Sequence, residues 1–272
     1  MTEKMRNKPV AYSIIFTLLI SAFWAAISFS VRGLYGQYEI QTWLIISVVN
    51  ISFAILAIAL LGAVNQVNGF RHVFKTKGLT KGLLALIPVM VFFVFNLALS
   101  TSGVTDTGIE NIEAFPIVAF IQVTSALMQN VLFRGLLITS LFVKLSSTEE
   151  ERVKSVFKAS ALYLLVYIPL NIFDTGNLAL MQIVNTFIVG AGFCAVYMYS
   201  RSIMSLVLGQ GVWQVMGSVI YLFGAEYSPQ LTPWLFIVFV VILILIVVFA
   251  VRFSKRAKPF ACADEDELSF TQ

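Results

Sequence analysis

Long apolar runs separated by short charged loops constrain this chain more than any other feature. A helix crosses the hydrocarbon core of a bilayer in about 20 apolar residues. Runs of that order fall at 10–31, 40–64, 79–100, 115–145, 156–173, 178–199, 203–223 and 231–251. The chain has 272 residues, 59 % apolar and 12 % charged, whereas a soluble domain carries about 25 % charged residues. One aqueous core cannot hide so many apolar side chains, so lipid must be their solvent. The expected fold is all-α, a polytopic transmembrane bundle of about eight helices. The fourth run exceeds one straight crossing and is expected to tilt, kink or extend past the membrane.

Basic residues recur in every second loop. They are Lys4, Arg6 and Lys8, then Arg71, Lys75, Lys77 and Lys81, then Lys144, Arg152, Lys154 and Lys158, then Arg201, and finally Arg252, Lys255, Arg256 and Lys258. The alternate loops are acidic or nearly neutral, with Asp106, Glu110 and Glu113 in one and Asp174 and Glu226 in others; Arg32 is the exception. The positive-inside rule then puts both termini in the cytoplasm, and eight crossings have the matching parity. Three segments are expected: helices one to three over 1–114, a four-helix core over 115–223, and the last helix with a polar tail over 224–272. The first run is longer than the 7–15 residues typical of a signal h-region, so an uncleaved helix is expected despite its basic lead. The acidic stretch 264–267 reads as a solvated tail. The end, Ser269-Phe270-Thr271-Gln272, carries no cysteine for prenylation. No basic stripe interleaved with aromatics suggests nucleic-acid binding. Cys194 lies in an apolar run and Cys262 in the tail, so no disulfide is expected.

The apolar runs contain no Asp or Glu and a single Arg, Arg134, in the middle of the fourth. Such a charge costs roughly 3 kcal/mol on insertion scales, and it usually faces the bundle interior with a partner. The expected partners are Gln129 and Asn130 one turn earlier, backbone carbonyls of a broken helix, or a bound anion. Other polar residues share the interior: Gln122, Thr124 and Ser125 precede Arg134, and Tyr167 lies near Pro169 and Asn171. Gln210 and Gln214, four apart, share a helix face. Gly209, Gly211 and Gly217 permit close helix approach. Each polar residue taken alone reads as interhelical glue, worth about 0.6 kcal/mol per hydrogen bond. His72, the single histidine, sits in a loop beside Arg71 and is expected to be solvated.

The segment Gln129-Asn130-Val131-Leu132-Phe133-Arg134-Gly135-Leu136-Leu137 resembles the first motif of the CAAX protease and bacteriocin-processing membrane family. That motif reads Glu-Glu-x-x-x-Arg, commonly with Phe before the Arg and Gly after it. Tyr163-Leu164-Leu165-Val166-Tyr167 stands where the family carries Phe-x-x-x-His, and Gln210-Gly211-Val212-Trp213-Gln214 where it carries His-x-x-x-Asn or Asp. The resemblance covers roughly 115–217. It implies that active members use paired glutamates and histidines to activate water for peptide cleavage. Here Gln129 and Asn130 replace the glutamates, Tyr167 and Gln210 the histidines, and Gln214 the Asn or Asp; Arg134 alone is kept. A general base must take a proton near neutral pH, which an amide does not do. A metal site needs imidazole, thiolate or carboxylate, and the membrane interior offers Cys194 alone. No metal or other cofactor is expected. Ser125, Ser140 and Ser160 lack an intramembrane base to activate them.

Three functions compete. The first is a catalytically degenerate family member that binds, scaffolds or regulates a membrane or cell-envelope protein. The resemblance implies roles in bacteriocin immunity or in control of a cell-wall enzyme or sensor kinase, and a bacterial plasma membrane as the location. The second is an active intramembrane endopeptidase of unusual chemistry, which rests on fold resemblance alone. The third is a small-molecule or lipid transporter, whose site would lie near the midplane; no intramembrane acid is present to couple it to protons or sodium.

Overall fold

The computed structural model describes residues 5, 7–36, 40–65, 68–101, 112–141, 148–175, 179–218 and 233–257, with side chains at 96–101, 112, 166–175, 179–182, 217 and 233 outside the description. The described residues form an all-α structure. In chain order the helices are α1 (Pro9–Tyr35), α2 (Ile40–Asn65), α3 (Gly69–Val73), α4 (Leu79–Ala85), α5 (Ile87–Thr101), α6 (Phe115–Gln129), α7 (Glu149–Thr175), α8 (Ala179–Ser200), α9 (Ile203–Ser218) and α10 (Pro233–Arg256). A 3-10 turn at Ile112–Ala114 leads into α6, and α6 runs on without a break into a π-helical stretch, Asn130–Ile138. Proline opens α1, where its missing N–H would have had no helical partner in any case.

Five of the described helices are long and apolar enough to cross a bilayer: Pro9–Tyr35, Ile40–Asn65, Phe115–Leu141, Ile183–Ser200 and Trp234–Arg256. Their outward faces carry large apolar side chains such as Phe23, Val48 and Ile244. Exposed apolar faces this continuous mark a lipid-facing surface. Inside, α6 and the π stretch pack between α2 and α9, while α8 lies between α7 and α10. Polar rungs cross the first of these layers. The Trp24 indole donates to Asn50 Oδ1 (2.8 Å). Ser140 Oγ meets Ser13 Oγ (2.5 Å) and donates to Asn65 Oδ1 (2.9 Å).

The third apolar run is broken where the sequence suggested one helix. α4 ends at Ala85 and α5 begins at Ile87. Pro88 explains the break, because its ring clashes with the carbonyl four residues back and it has no N–H to donate. The fourth run shows its excess length as a π stretch, in which i→i+5 bonding widens the helix; such stretches recur at functional sites. All nine of its residues are buried.

His72 overturns the expectation of a solvated loop histidine. Asn68 caps the short α3 by accepting from the Arg71 backbone N–H (3.0 Å). A Cβ at Gly69 would run into the Ile58 carbonyl, so the turn is pressed onto α2. This folds His72 inward to 5 % exposure, with its Nε2 2.7 Å from the Tyr197 hydroxyl. That hydroxyl lies 2.7 Å from Thr139 Oγ1.

Two basic residues that read as loop charges cap helix ends. Lys81 Nζ donates to the Tyr199 carbonyl (2.9 Å) near the end of α8. Arg152, 6 % exposed, donates through Nε to the Ser254 carbonyl (3.2 Å) and through Nη2 to the Lys255 carbonyl (3.0 Å) at the end of α10. Terminal carbonyls lack helical partners and favour a cation there. Arg152→Ala is therefore expected to lower stability by about 1.5–3 kcal/mol, the range for hydrogen bonds to a charged group, with Arg152→Lys intermediate. Thermal unfolding of the detergent-solubilised protein checks this, and an unchanged transition would remove the cap from the account.

Candidate functional site

The polar residues of the fourth run come together with those of α9. Gln129 ends α6, and Asn130 and Arg134 lie on the π stretch that follows it. Gln210 projects from α9, which packs along α6. Gln210 Nε2 donates to Gln129 Oε1 (2.5 Å). Asn130 Nδ2 donates to Gln210 Oε1 (3.0 Å) and to the Ala126 carbonyl (2.8 Å). Gln129 Nε2 donates in turn to Ser125 Oγ (3.0 Å). Gln129, Asn130 and Gln210 are each at most 5 % exposed. Three amides thus form one buried network, as primary amides carry both donors and acceptors, with Asn130 Oδ1 its one acceptor left without a partner among the described residues.

Two glycines allow the helices to come this close. A Cβ on Gly135 would sit 3.1 Å from Ile203 Cδ1 at the start of α9, and one on Gly209 would sit 2.6 Å from Leu86 Cδ1. Gly211 differs from the expectation of close approach: a Cβ there would make ordinary contacts of 3.7 Å or more with α6. The side chain of Gly217 lies outside the described ones.

Arg134 is 1 % exposed, and its surroundings differ from the expected ones. It bonds neither Gln129 nor Asn130. Its Nε and Nη1 are buried with no hydrogen-bond partner among the described residues. Aromatic rings flank it instead: the guanidinium carbon is 4.8 Å from the Tyr163 ring centroid and 5.3 Å from that of Phe193. Both distances lie within the roughly 6 Å at which a ring face attracts a cation, an interaction worth about 2 kcal/mol or more when desolvated. Asn130 Oδ1 is likewise buried without a partner among the described residues, although its amide nitrogen is fully engaged.

Beside Arg134 lies a cavity of about 210 Å³ between α5, α7, α8, α9 and the π stretch. Gln210 and Gln214 both line it, as their shared helix face requires. Tyr163 lines it too, and its hydroxyl is 3.5 Å from Gln129 Oε1. Of the residues picked out in the sequence, Gln129, Asn130 and Gln210 form the network, and Arg134, Gln210 and Gln214 border the cavity. Tyr167, Pro169 and Asn171 lie on α7, with side chains outside the described ones. The sequence reading missed Asn185, a cavity residue with a buried Oδ1 lacking a partner, and the ring walls Phe193 and Trp213. Asn185 was detectable as an amide in the middle of an apolar run; the rings look like any other apolar position.

If the amides act as one unit, Gln129→Leu and Gln210→Leu should be non-additive. A double-mutant cycle on unfolding in detergent is expected to give a coupling of about 0.5–1.7 kcal/mol, the upper part of the range seen for hydrogen bonds between membrane helices. Additivity within about 0.3 kcal/mol would show that the contact contributes nothing.

No curated protein and no solved structure matches the chain. A family match does, and it spans the segment that holds both the amide network and Arg134. Residues 111–216 match the family model described as Type II CAAX prenyl endopeptidase Rce1-like, the same segment whose motifs carry the resemblance.

Proposed function

We propose that this protein is a catalytically degenerate family member that binds a membrane or cell-envelope protein rather than cleaving a peptide. In this reading it spans a bacterial plasma membrane eight times with both ends in the cytoplasm. The observation that carries the reading is the amide network at the motif positions. Water activation needs a group that takes a proton near neutral pH. Gln129, Asn130 and Gln210 are amides, and their hydrogen bonds are directed at one another. Replacing carboxylate by amide keeps shape and bonding but removes charge and basicity. Inside lipid the exchange also removes a desolvation penalty.

A retained fold with neutral site residues suits recognition through helix faces. Helix association in lipid runs on packing and interhelical hydrogen bonds. The helices α7 and α9, which line the cavity on one face, expose Leu165 and Val212 on their outward faces. Bacteriocin immunity or control of a cell-wall enzyme or sensor kinase are the roles that fit such a partner.

A photo-cross-linking amino acid at Val212, compared with one at Ile244 on α10, tests this in native membranes. The expected result is a discrete protein adduct from position 212 that is absent from position 244, with mass spectrometry identifying one partner. The adduct should be lost in Arg134→Ala if that variant accumulates. The same diffuse adducts from both positions, or cleavage of a peptide substrate by the native protein, would contradict the proposal.

A further inference from the structure

The cavity beside Arg134 holds an imbalance that the protein's own described groups leave open. Arg134 brings a full positive charge to a site with no carboxylate among its lining residues. Tyr163 and Phe193 stabilise the faces of the guanidinium. Rings do not accept in-plane N–H bonds, and two of its nitrogens, Nε and Nη1, are buried with no partner among the described residues. Two acceptors on the cavity wall, Asn185 Oδ1 and Gln214 Oε1, also lack a donor. The remaining wall includes Phe93 and Trp213, stacked with centroids 4.2 Å apart.

We infer that this cavity binds a carboxylate carried on a small apolar body. The charge argument selects a monoanion, since one negative charge cancels one guanidinium and a second would be left uncompensated in a medium of low dielectric. The planar guanidinium matches the two coplanar oxygens of a carboxylate better than a point charge does. The aromatic wall suits an apolar body, and the orphaned amide oxygens suit a ligand that also offers an N–H. The volume of about 210 Å³ sets the size. A dry cavity of about 150 Å³ already holds benzene, so a ring or branched chain with one carboxylate fits. Such a carboxylate comes either from a free acid or from the end of a peptide. The inference goes beyond the partner reading and stands on the geometry of the cavity.

The test uses the purified native protein in detergent and isothermal titration with two matched pairs. Benzoate against benzamide represents a free acid, and N-acetylvaline against its C-terminal amide represents a peptide end. Within each pair the shape is kept and only the charge changes. At least one acid is expected to bind about tenfold or more tightly than its amide, a difference of about 1.4 kcal/mol. Binding of benzoate alone assigns the site to free acids, and binding of N-acetylvaline alone assigns it to peptide ends. No binding, or a preference below about tenfold in both pairs, overturns the inference. Arg134→Gln should abolish the preference, and a folded Arg134→Gln protein that retains it would move the site elsewhere. Should that variant fail to fold, the native comparison decides by itself. A null result in the purified chain with the Val212 adduct still formed would discard the ligand and leave the partner reading intact.

Discussion

A guanidinium buried among apolar helices sets the terms for everything around it. Arg134 is 1 % exposed in the centre of the molecule, where a charge costs roughly 3 kcal/mol even on lenient insertion scales. Rings on two separate helices, Tyr163 on α7 and Phe193 on α8, pack against it. Three elements must therefore stay in register: the π stretch that carries the charge and the two helices that carry the rings. The layer of α7, α8 and α10 is tied to the layer of α2, α6 and α9 through this contact as well as through apolar packing. Arg152, capping α10 from the first turns of α7, fixes the same layer from its end.

The amide network stands next to this charge and stays independent of it. Were Gln129 and Asn130 carboxylates, as in the motif they resemble, a salt bridge to Arg134 would be the natural arrangement. The amides at those positions bond each other instead, Gln210 to Gln129 and Asn130 to Gln210, while Asn130 Oδ1 and Arg134 Nε and Nη1 stay without partners among the described residues. The charge is left to the rings and the cavity. Among the described residues, the site is thus held together by amide hydrogen bonds rather than by acidic groups.

Much of the fold was legible because lipid imposes simple rules. Runs of about 20 apolar residues mark helices whatever their packing, and the helices follow those runs. Pro88 also spoke plainly, yet it was read as part of one helix because hydropathy alone does not register a missing N–H. The π stretch had no such signal. It depends on how Asn130–Ile138 is clamped between α2 and α9, and the sequence of one helix does not contain its neighbours. His72 was misread for the same reason, since its burial is decided by Tyr197, 125 residues away. At the site, polar residues in apolar runs pointed to Gln129, Asn130, Arg134 and Gln210. What they bond to was not readable, because an aromatic wall such as Phe193 looks like ordinary core until the helices are assembled.

On the proposed reading, Gln129, Asn130, Tyr167 and Gln210 stand where an active site would carry proton-transfer groups. The most direct measurement restores them. Gln129→Glu and Asn130→Glu are combined with Tyr167→His and Gln210→His, and peptide cleavage by the restored and native proteins is followed by mass spectrometry. The account predicts cleavage by the restored protein and none by the native one. Cleavage by the native protein would contradict it outright.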